Sequence, residues 1–241
     1  MDKRIHILST KTLGNVLVNT AADNGIEIEE KSFISIEPLK NKTVTDRILR
    51  SLNEKLNVVF TSANAVHAVS VYISSKPDWN VYCIGNATKE LVAKMFGEDS
   101  IAATASHAIE LAERIISHKE KGVRFFCGDQ RRDELPDILR GNGIKVEECI
   151  VYKTVLTPSL VHRPYDGILF FSPTAVESFF SLNSVTKDTC TFALGETTLS
   201  AIKKFVSNEV ILATHTSKES LIARVIEYYK LRKSTNATIE E

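Results

Sequence analysis

Phe60-Thr61-Ser62-Ala63-Asn64-Ala65-Val66 and Phe170-Phe171-Ser172-Pro173-Thr174-Ala175-Val176 are two copies of one local pattern, 110 residues apart. In each, an aromatic residue ends an apolar run, a serine follows, and Ala-Val opens a stretch of helical period. The same offset, without a gap, puts Ile84-Gly85-Asn86-Ala87-Thr88 on Leu194-Gly195-Glu196-Thr197-Thr198. It also puts Ala103-Thr104 on Ala213-Thr214, and Leu111, Arg114 and Ile115 on Leu221, Arg224 and Val225. Matches sustained at one offset in this way mark an internal repeat.

Around these copies, short β-branched or aromatic runs alternate with amphipathic stretches, the signature of parallel α/β sheets covered on both faces. Strands are expected at Ile5–Leu8, Asn57–Phe60, Val81–Ile84, Val123–Cys127, Gly167–Phe171, Thr191–Leu194 and Val210–Ala213. Weaker candidates are Glu27–Ile34, Ser100–Ala103 and Lys145–Tyr152. The first copy continues past residue 120 into strand, helix and strand, where the second runs out of chain. The missing piece lies at the N-terminus: Asn24–Glu30 matches 142–148, and Ile5–Leu8 matches Val123–Phe126, both at an offset of 118. The halves are therefore related by circular permutation. One domain is expected from 1–34 plus 160–233, the other from 42–152, with linker strands at 35–41 and 153–159 and a disordered tail at 234–241. Two such crossings predict a hinge with a cleft between the domains.

Composition narrows the function classes. Lys plus Arg and Asp plus Glu both number 30, so the basic excess of a general nucleic-acid binder is missing. No apolar run approaches the roughly 20 residues of a membrane-spanning helix. The start reads directly into a strand rather than a signal peptide, so a cytoplasmic location is expected. The four cysteines form no Cys-x-x-Cys pair and are expected to be buried and reduced. The histidines show no ligand spacing, so no metal is expected.

Ligands of open parallel sheets bind beyond the carboxyl ends of the strands. The loops expected there are Thr61-Ser62-Ala63-Asn64, Gly85-Asn86-Ala87-Thr88, Gly128-Asp129-Gln130-Arg131, Ser172-Pro173-Thr174 and Gly195-Glu196-Thr197-Thr198. Each is expected to follow a strand and open a helix. Such residues cap helices for structural reasons alone; free amides at helix starts also bind carboxylates or phosphates. The Gly-x-x-x-x-Gly-Lys-Ser/Thr and strand-borne Gly-x-Gly-x-x-Gly nucleotide motifs are missing, as is the Gly-x-Ser-x-Gly elbow around Ser62 and Ser172. Tyr152, where the chain leaves the second domain, faces a cleft, water or the core on equal grounds. Arg131 and Arg132 are either solvated or anion ligands, and Lys89, Lys153 and Lys218 are similar cases.

Taken together, Phe60–Val66, Ile84–Thr88, Cys127–Pro136, Gly143–Thr154, Phe170–Val176 and Leu194–Thr198 resemble the uroporphyrinogen-III synthase family. The resemblance covers about residues 3–230, with the elements in order. It implies two flavodoxin-like parallel-sheet domains joined by a two-stranded linker, and a monomer. It also implies hydroxymethylbilane, a linear tetrapyrrole with eight carboxylates, as substrate, closed with inversion of ring D through a spiro intermediate. That reaction involves no redox change and needs no cofactor. By resemblance Tyr152 is the proton donor. Thr61, Ser62, Asn64, Gly85, Asn86, Ala87, Thr88, Gly128, Arg131, Ser172, Pro173, Thr174, Gly195, Thr197 and Thr198 bind substrate. Transient contact with the hydroxymethylbilane-forming enzyme is a further expectation, and no nucleic-acid or membrane partner is. Asn64 and Glu196 stand at positions that vary in the family, and Glu196 is expected to point away from a carboxylate. The competing reading is a two-lobed binding module without catalysis.

Overall fold

Every parallel strand in the interior of a sheet needs a hydrogen-bonding neighbour on both sides, and this requirement decides which segments of the chain belong together. The computed structural model describes residues 4–239. The chain divides into two compact units, residues 1–35 with 155–241 and residues 36–154.

In unit 1, the sheet contains β1 (Ile5–Ser9), β2 (Ile26–Glu30), β9 (Gly167–Phe170), β10 (Cys190–Ala193) and β11 (Val210–Leu212). Its order is β11-β10-β9-β1-β2, all parallel. The N-terminal strand is thus interior, pairing with β2 on one side and with β9 on the other. Helices α1 (Asn15–Ala22), α7 (Pro173–Phe180), α8 (Glu196–Ile202) and α9 (Lys218–Ile239) cover it. Phe170 and Phe33 meet Phe179 edge-on at 5.5 and 5.2 Å, and Tyr229 donates to the Asp166 carbonyl at 2.7 Å.

Unit 2 carries β4 (Leu56–Phe60), β5 (Trp79–Ile84), β6 (Ile101–Ala105), β7 (Gly122–Gly128) and β8 (Lys145–Leu156), with β3 (Ile34–Pro38) on the edge. The order is β3-β8-β7-β4-β5-β6. β4 to β8 are parallel. The bonds flanking β3, from Thr157 N to the Phe33 carbonyl and from Leu39 N to the Val151 carbonyl, advance in opposite chain directions. β3 is therefore antiparallel. Helices α2 (Lys42–Leu52), α3 (Ala63–Ser70), α4 (Asn86–Phe96), α5 (Ala108–Ser117) and α6 (Glu134–Gly141) flank this sheet. Renumbered from its interior strand, each five-strand parallel sheet reads 2-1-3-4-5, the flavodoxin-like doubly wound order. In unit 1 that count starts at β1 and in unit 2 at β7, which is the circular permutation seen as topology.

Three local expectations need correction. Glu27–Ile34 is not one strand: β2 ends at Glu30 and β3, which pairs with β8, starts at Ile34. The segment from Ser234 expected to be disordered continues α9 to Ile239, while 240 and 241 lie outside the described residues. Of the four free cysteines, Cys83, Cys127 and Cys149 are buried, but Cys190 is half-buried. Among the described residues, no helix is long and apolar enough to cross a membrane, and no group of three or more His, Cys, Asp or Glu is placed to hold a metal ion.

The core of unit 2 contains an aromatic stack. Phe60 lies between Phe126 and Phe96 at 5.5 and 5.7 Å, and Trp79 closes on Phe96 and Phe126 at 5.3 and 5.8 Å. The indole N–H donates to the Ser51 carbonyl at 2.9 Å, so the ring is buried with its polar atom satisfied. Truncating Phe126 to alanine removes the ring that packs on both Phe60 and Trp79, a change that costs about 3–5 kcal/mol. Trp79 is the sole tryptophan, so urea denaturation followed by its fluorescence reads unit 2. The midpoint is expected to fall with the slope unchanged, and an unmoved midpoint would contradict the packing described.

Candidate functional site

Within unit 2 the ends of β8, β7 and β4 stand side by side, and the residue between the outer two is glycine. β7 pairs with β8 in register up to Cys127 and Ile150, then slips, so that Gly128 faces Tyr152. The slip bulges β8 and re-aims its side chains. It is held by Asp129, whose N–H donates to the Tyr152 carbonyl at 3.1 Å and whose carboxylate accepts from Thr154 N at 2.9 Å. The Tyr152 ring then lies across Gly128 and its hydroxyl donates to Ser62 Oγ, beyond β4, at 3.3 Å. Strands two apart in a sheet are separated by roughly 10 Å, a span that a tyrosine crosses only when nothing stands between. A Cβ on Gly128 would sit 2.7 Å from the Tyr152 oxygen and closer still to Cζ of the ring. Of the orientations open to Tyr152 from sequence, the structure selects the carboxyl-end surface of unit 2, with the ring half-buried.

The strand-end helices begin in two different ways. Ser62 caps α3, accepting from Asn64 N at 3.2 Å, and Ser172 caps α7, accepting from Ala175 N at 3.2 Å. Their side-chain oxygens already have structural work, although Ser62 still receives Tyr152. Pro173 fills the first position of α7, where its missing N–H costs nothing, and Thr174 follows half-buried. Gly85 and Gly195 lead α4 and α8 with no side-chain cap at all. Gly85 adopts φ 78°, a left-handed conformation that glycine takes without strain. The first amide of α4 to bond back is Lys89 N, on the Gly85 carbonyl at 3.1 Å. The N–H groups of Asn86, Ala87 and Thr88 are left open, and those of Glu196 and Thr197 are open in unit 1. Open amides at a helix start, with the dipole behind them, suit a carboxylate.

The remaining expected site residues do not all reach this surface. Thr61 is half-buried after β4, and Asn64 contributes its backbone to the cap. Thr88 and Thr198, at equivalent positions, are buried. Thr197 and Glu196 are exposed. The Gly128-Asp129-Gln130-Arg131 loop opens no helix, because α6 starts only at Glu134. Arg131 is not a free cation: Glu148 and Asp133 both bond its guanidinium, and Arg140 takes the other oxygen of Glu148. The reason is geometric, since β8 carries Glu148 up beside the loop. A cavity of about 560 Å³ lined by Lys55, Asn57, Lys121, Gly122 and Lys145 lies at the opposite, amino end of the same sheet. The carboxyl end remains the candidate, because the open amides of 86–88 and Tyr152 both lie at that end and because parallel sheets bind ligands there. Sequence reasoning missed Lys11, in the loop after β1. Its only sequence signal was its place two residues beyond a strand end.

Two outcomes are expected from this geometry. Gly128→Ala forces the Tyr152 ring aside at a cost of about 1–3 kcal/mol. In a Tyr152→Ala background the same change is expected to cost much less, so the two substitutions are strongly coupled in unfolding free energy. The second outcome concerns Glu148. Burial raises its pKa, but the Arg131 and Arg140 guanidiniums more than offset that and hold it below the ordinary glutamate value. A carboxylate depressed in this way contributes stability that is present above its unfolded pKa and lost as pH falls through the folded one. Glu148→Gln is expected to destabilise unit 2 by about 1–3 kcal/mol at neutral pH. The difference from wild type should shrink as the medium is acidified below about pH 4.3, as followed by Trp79 fluorescence.

Comparison with known proteins agrees with this layout. The family model described as Uroporphyrinogen-III synthase HemD matches residues 15–223. The crystal structure of uroporphyrinogen-III synthetase from Helicobacter pylori superposes with a TM-score of 0.64 at 16% identity, over 93% of this chain and 99% of that one. A mutant uroporphyrinogen III synthase from the extremely thermophilic bacterium Thermus thermophilus gives a TM-score of 0.57 at 12% identity, over 95% and 99%. At such identities the two structures speak to the fold, while the family model spans most of the sequence: the chain belongs to the uroporphyrinogen-III synthase family.

Proposed function

We propose that this protein closes hydroxymethylbilane into uroporphyrinogen III in the cytoplasm, acting as a lyase in tetrapyrrole biosynthesis. The observation that carries this beyond family membership is the Tyr152 hydroxyl, laid over Gly128 at the carboxyl end of a parallel sheet. It has a proton to give and a serine oxygen, not a carboxylate, as its neighbour.

The reaction removes water and transfers no electrons. Tyr152 donates to the departing hydroxyl of the hydroxymethyl group, and the methylene left behind is electrophilic. Its attack by the substituted carbon of ring D gives the spiro intermediate, which fragments and recloses with that ring inverted. The protein's larger task is orientation, holding the two ends of the bilane so that the less accessible carbon is the one that meets the electrophile. The open amides of 86–88 and 196–197 supply neutral donors for acetate and propionate groups.

The test supplies porphobilinogen and a hydroxymethylbilane-forming enzyme, oxidises the products and separates the isomers. Type III is expected to predominate, against type I in the protein-free control. Type I alone, from folded protein, would replace the synthase reading with that of a two-lobed binding module. Tyr152→Phe is expected to slow turnover by about 10- to 100-fold without abolishing it. That lies at or below the roughly 10²–10⁴-fold of a positioned acid, because water can reach a departing hydroxyl. Complete loss with the fold intact would contradict a mechanism dominated by orientation.

A further inference from the structure

The loop after β1, Thr10-Lys11-Thr12, is pinned on both sides. Thr10 donates through N and Oγ1 to the Leu169 carbonyl at 3.0 and 2.8 Å. Ser9 Oγ donates to the Lys11 carbonyl at 2.5 Å. From the start of α9, Lys218 Nζ donates to the Thr12 carbonyl at 2.6 Å. Two ammonium groups are thereby brought to one short loop at the carboxyl end of the unit 1 sheet. Among the described residues neither has a carboxylate partner. The nearby acid, Glu30, is taken by Leu13 N at 2.6 Å.

Lys11 is exposed by surface, yet enough protein surrounds its ammonium that burial lowers its pKa, and Lys218 lowers it further. Lys218, held at the Thr12 carbonyl, stands beside Lys11 in this loop; two like charges so placed repel, and an anion bound at the loop relieves that repulsion. Carboxylate suits the place better than a large apolar ion, because each ammonium is a compact donor.

We propose that Lys11 and Lys218 form a carboxylate-binding site at the carboxyl end of the unit 1 sheet, taking one acidic side chain of the tetrapyrrole. The identity of that ligand rests on the synthase reading; the carboxylate chemistry does not. The site supplies the charge-based grip that the open amides lack, and it acts in binding rather than in the proton transfer assigned to Tyr152.

The experiment compares wild type, Lys11→Gln, Lys218→Gln and, as a control past the far end of α8, Lys204→Gln. Uroporphyrin I, an octacarboxylate, is titrated by fluorescence, and isomer formation is assayed on the same preparations. Lys11→Gln is expected to weaken binding roughly three- to tenfold, with the deficit fading at high salt. KM for the bilane should rise more than kcat falls, and Lys204→Gln should match wild type. Lys218→Gln distinguishes a charge effect from loosening of the loop: its deficit in binding should shrink with salt as that of Lys11→Gln does. If wild type makes type III and Lys11→Gln binds uroporphyrin equally well, the lysine site is overturned and the synthase reading stands. If wild type makes only type I, the synthase reading falls. The site then survives only if Lys11→Gln still binds uroporphyrin less well than wild type.

Discussion

An interior strand with one neighbour missing leaves a row of backbone donors and acceptors unpaired, and no amount of side-chain packing offsets that. In unit 1 one of the three strands with two neighbours to satisfy is the first in the chain. β1 pairs with β2 through Ile5–Ser9 and with β9 through Ile7–Ser9. Residues 4–35 are therefore no appendage to unit 2: they supply an interior strand and an edge strand of a sheet whose other strands begin at Gly167. Everything placed by that sheet depends on this closure, including the loop of Lys11, the first turn of α8 and the packing of α9. The route of the chain is fixed by it: the chain leaves unit 1 through β3, builds the whole of unit 2 in one pass, and returns along β8.

The site geometry in unit 2 rests on a similar economy of atoms. Tyr152 and Ser62 belong to strands that do not touch, separated by β7. Their hydroxyls meet because β7 ends in a residue with no side chain and because the register slips by one residue there. Asp129 fixes the slip from both directions, through its backbone to Tyr152 and its carboxylate to Thr154. A different residue at 128 would leave the strands intact and displace only the hydroxyl, so the fold and the site are separable in this part of the chain.

Much of this was legible in the sequence, for a physical reason. The repeat at offset 110 preserves residues that pack or terminate elements, so it reported topology, and the match at offset 118 located the permutation. Boundaries involving weak signals were lost. Glu27–Ile34 reads as one polar-apolar run, and only pairing partners distant in sequence divide it into β2 and β3. α2 carries Asn41 as a cap, accepting from Val44 N at 3.0 Å, a signal the alternation of strands overshadowed. For the site, the order of the loops was readable but the use of each side chain was not. Ser62 and Gly85 both read as helix starts, and which leaves its amides open depends on whether a side-chain oxygen is present to take them. Arg131 reads as a free cation until the register brings Glu148 beside it. Gly128 reads as a loop glycine until Tyr152 is seen crossing it.

The two units, alike in topology, have diverged where their first counted strands end. At the offset of 118, Lys11 corresponds to Asp129. In unit 1 that position holds an ammonium without an acidic partner, next to a second one. In unit 2 it holds a carboxylate turned inward onto β8, and the arginine two residues on is already neutralised by Glu148 and Asp133. In this loop the Asp129 carboxylate and the Arg131 guanidinium are thus both engaged, and the Tyr152 hydroxyl has the Ser62 hydroxyl as its neighbour. A weakly acidic phenol works best where no free cation promotes its ionisation and no free anion holds its proton. Gripping an acidic substrate needs the opposite environment. The two copies of one scaffold differ in the sign of charge at this pair of positions, and with the roles proposed above that difference separates the electrostatic demands of binding from those of proton donation.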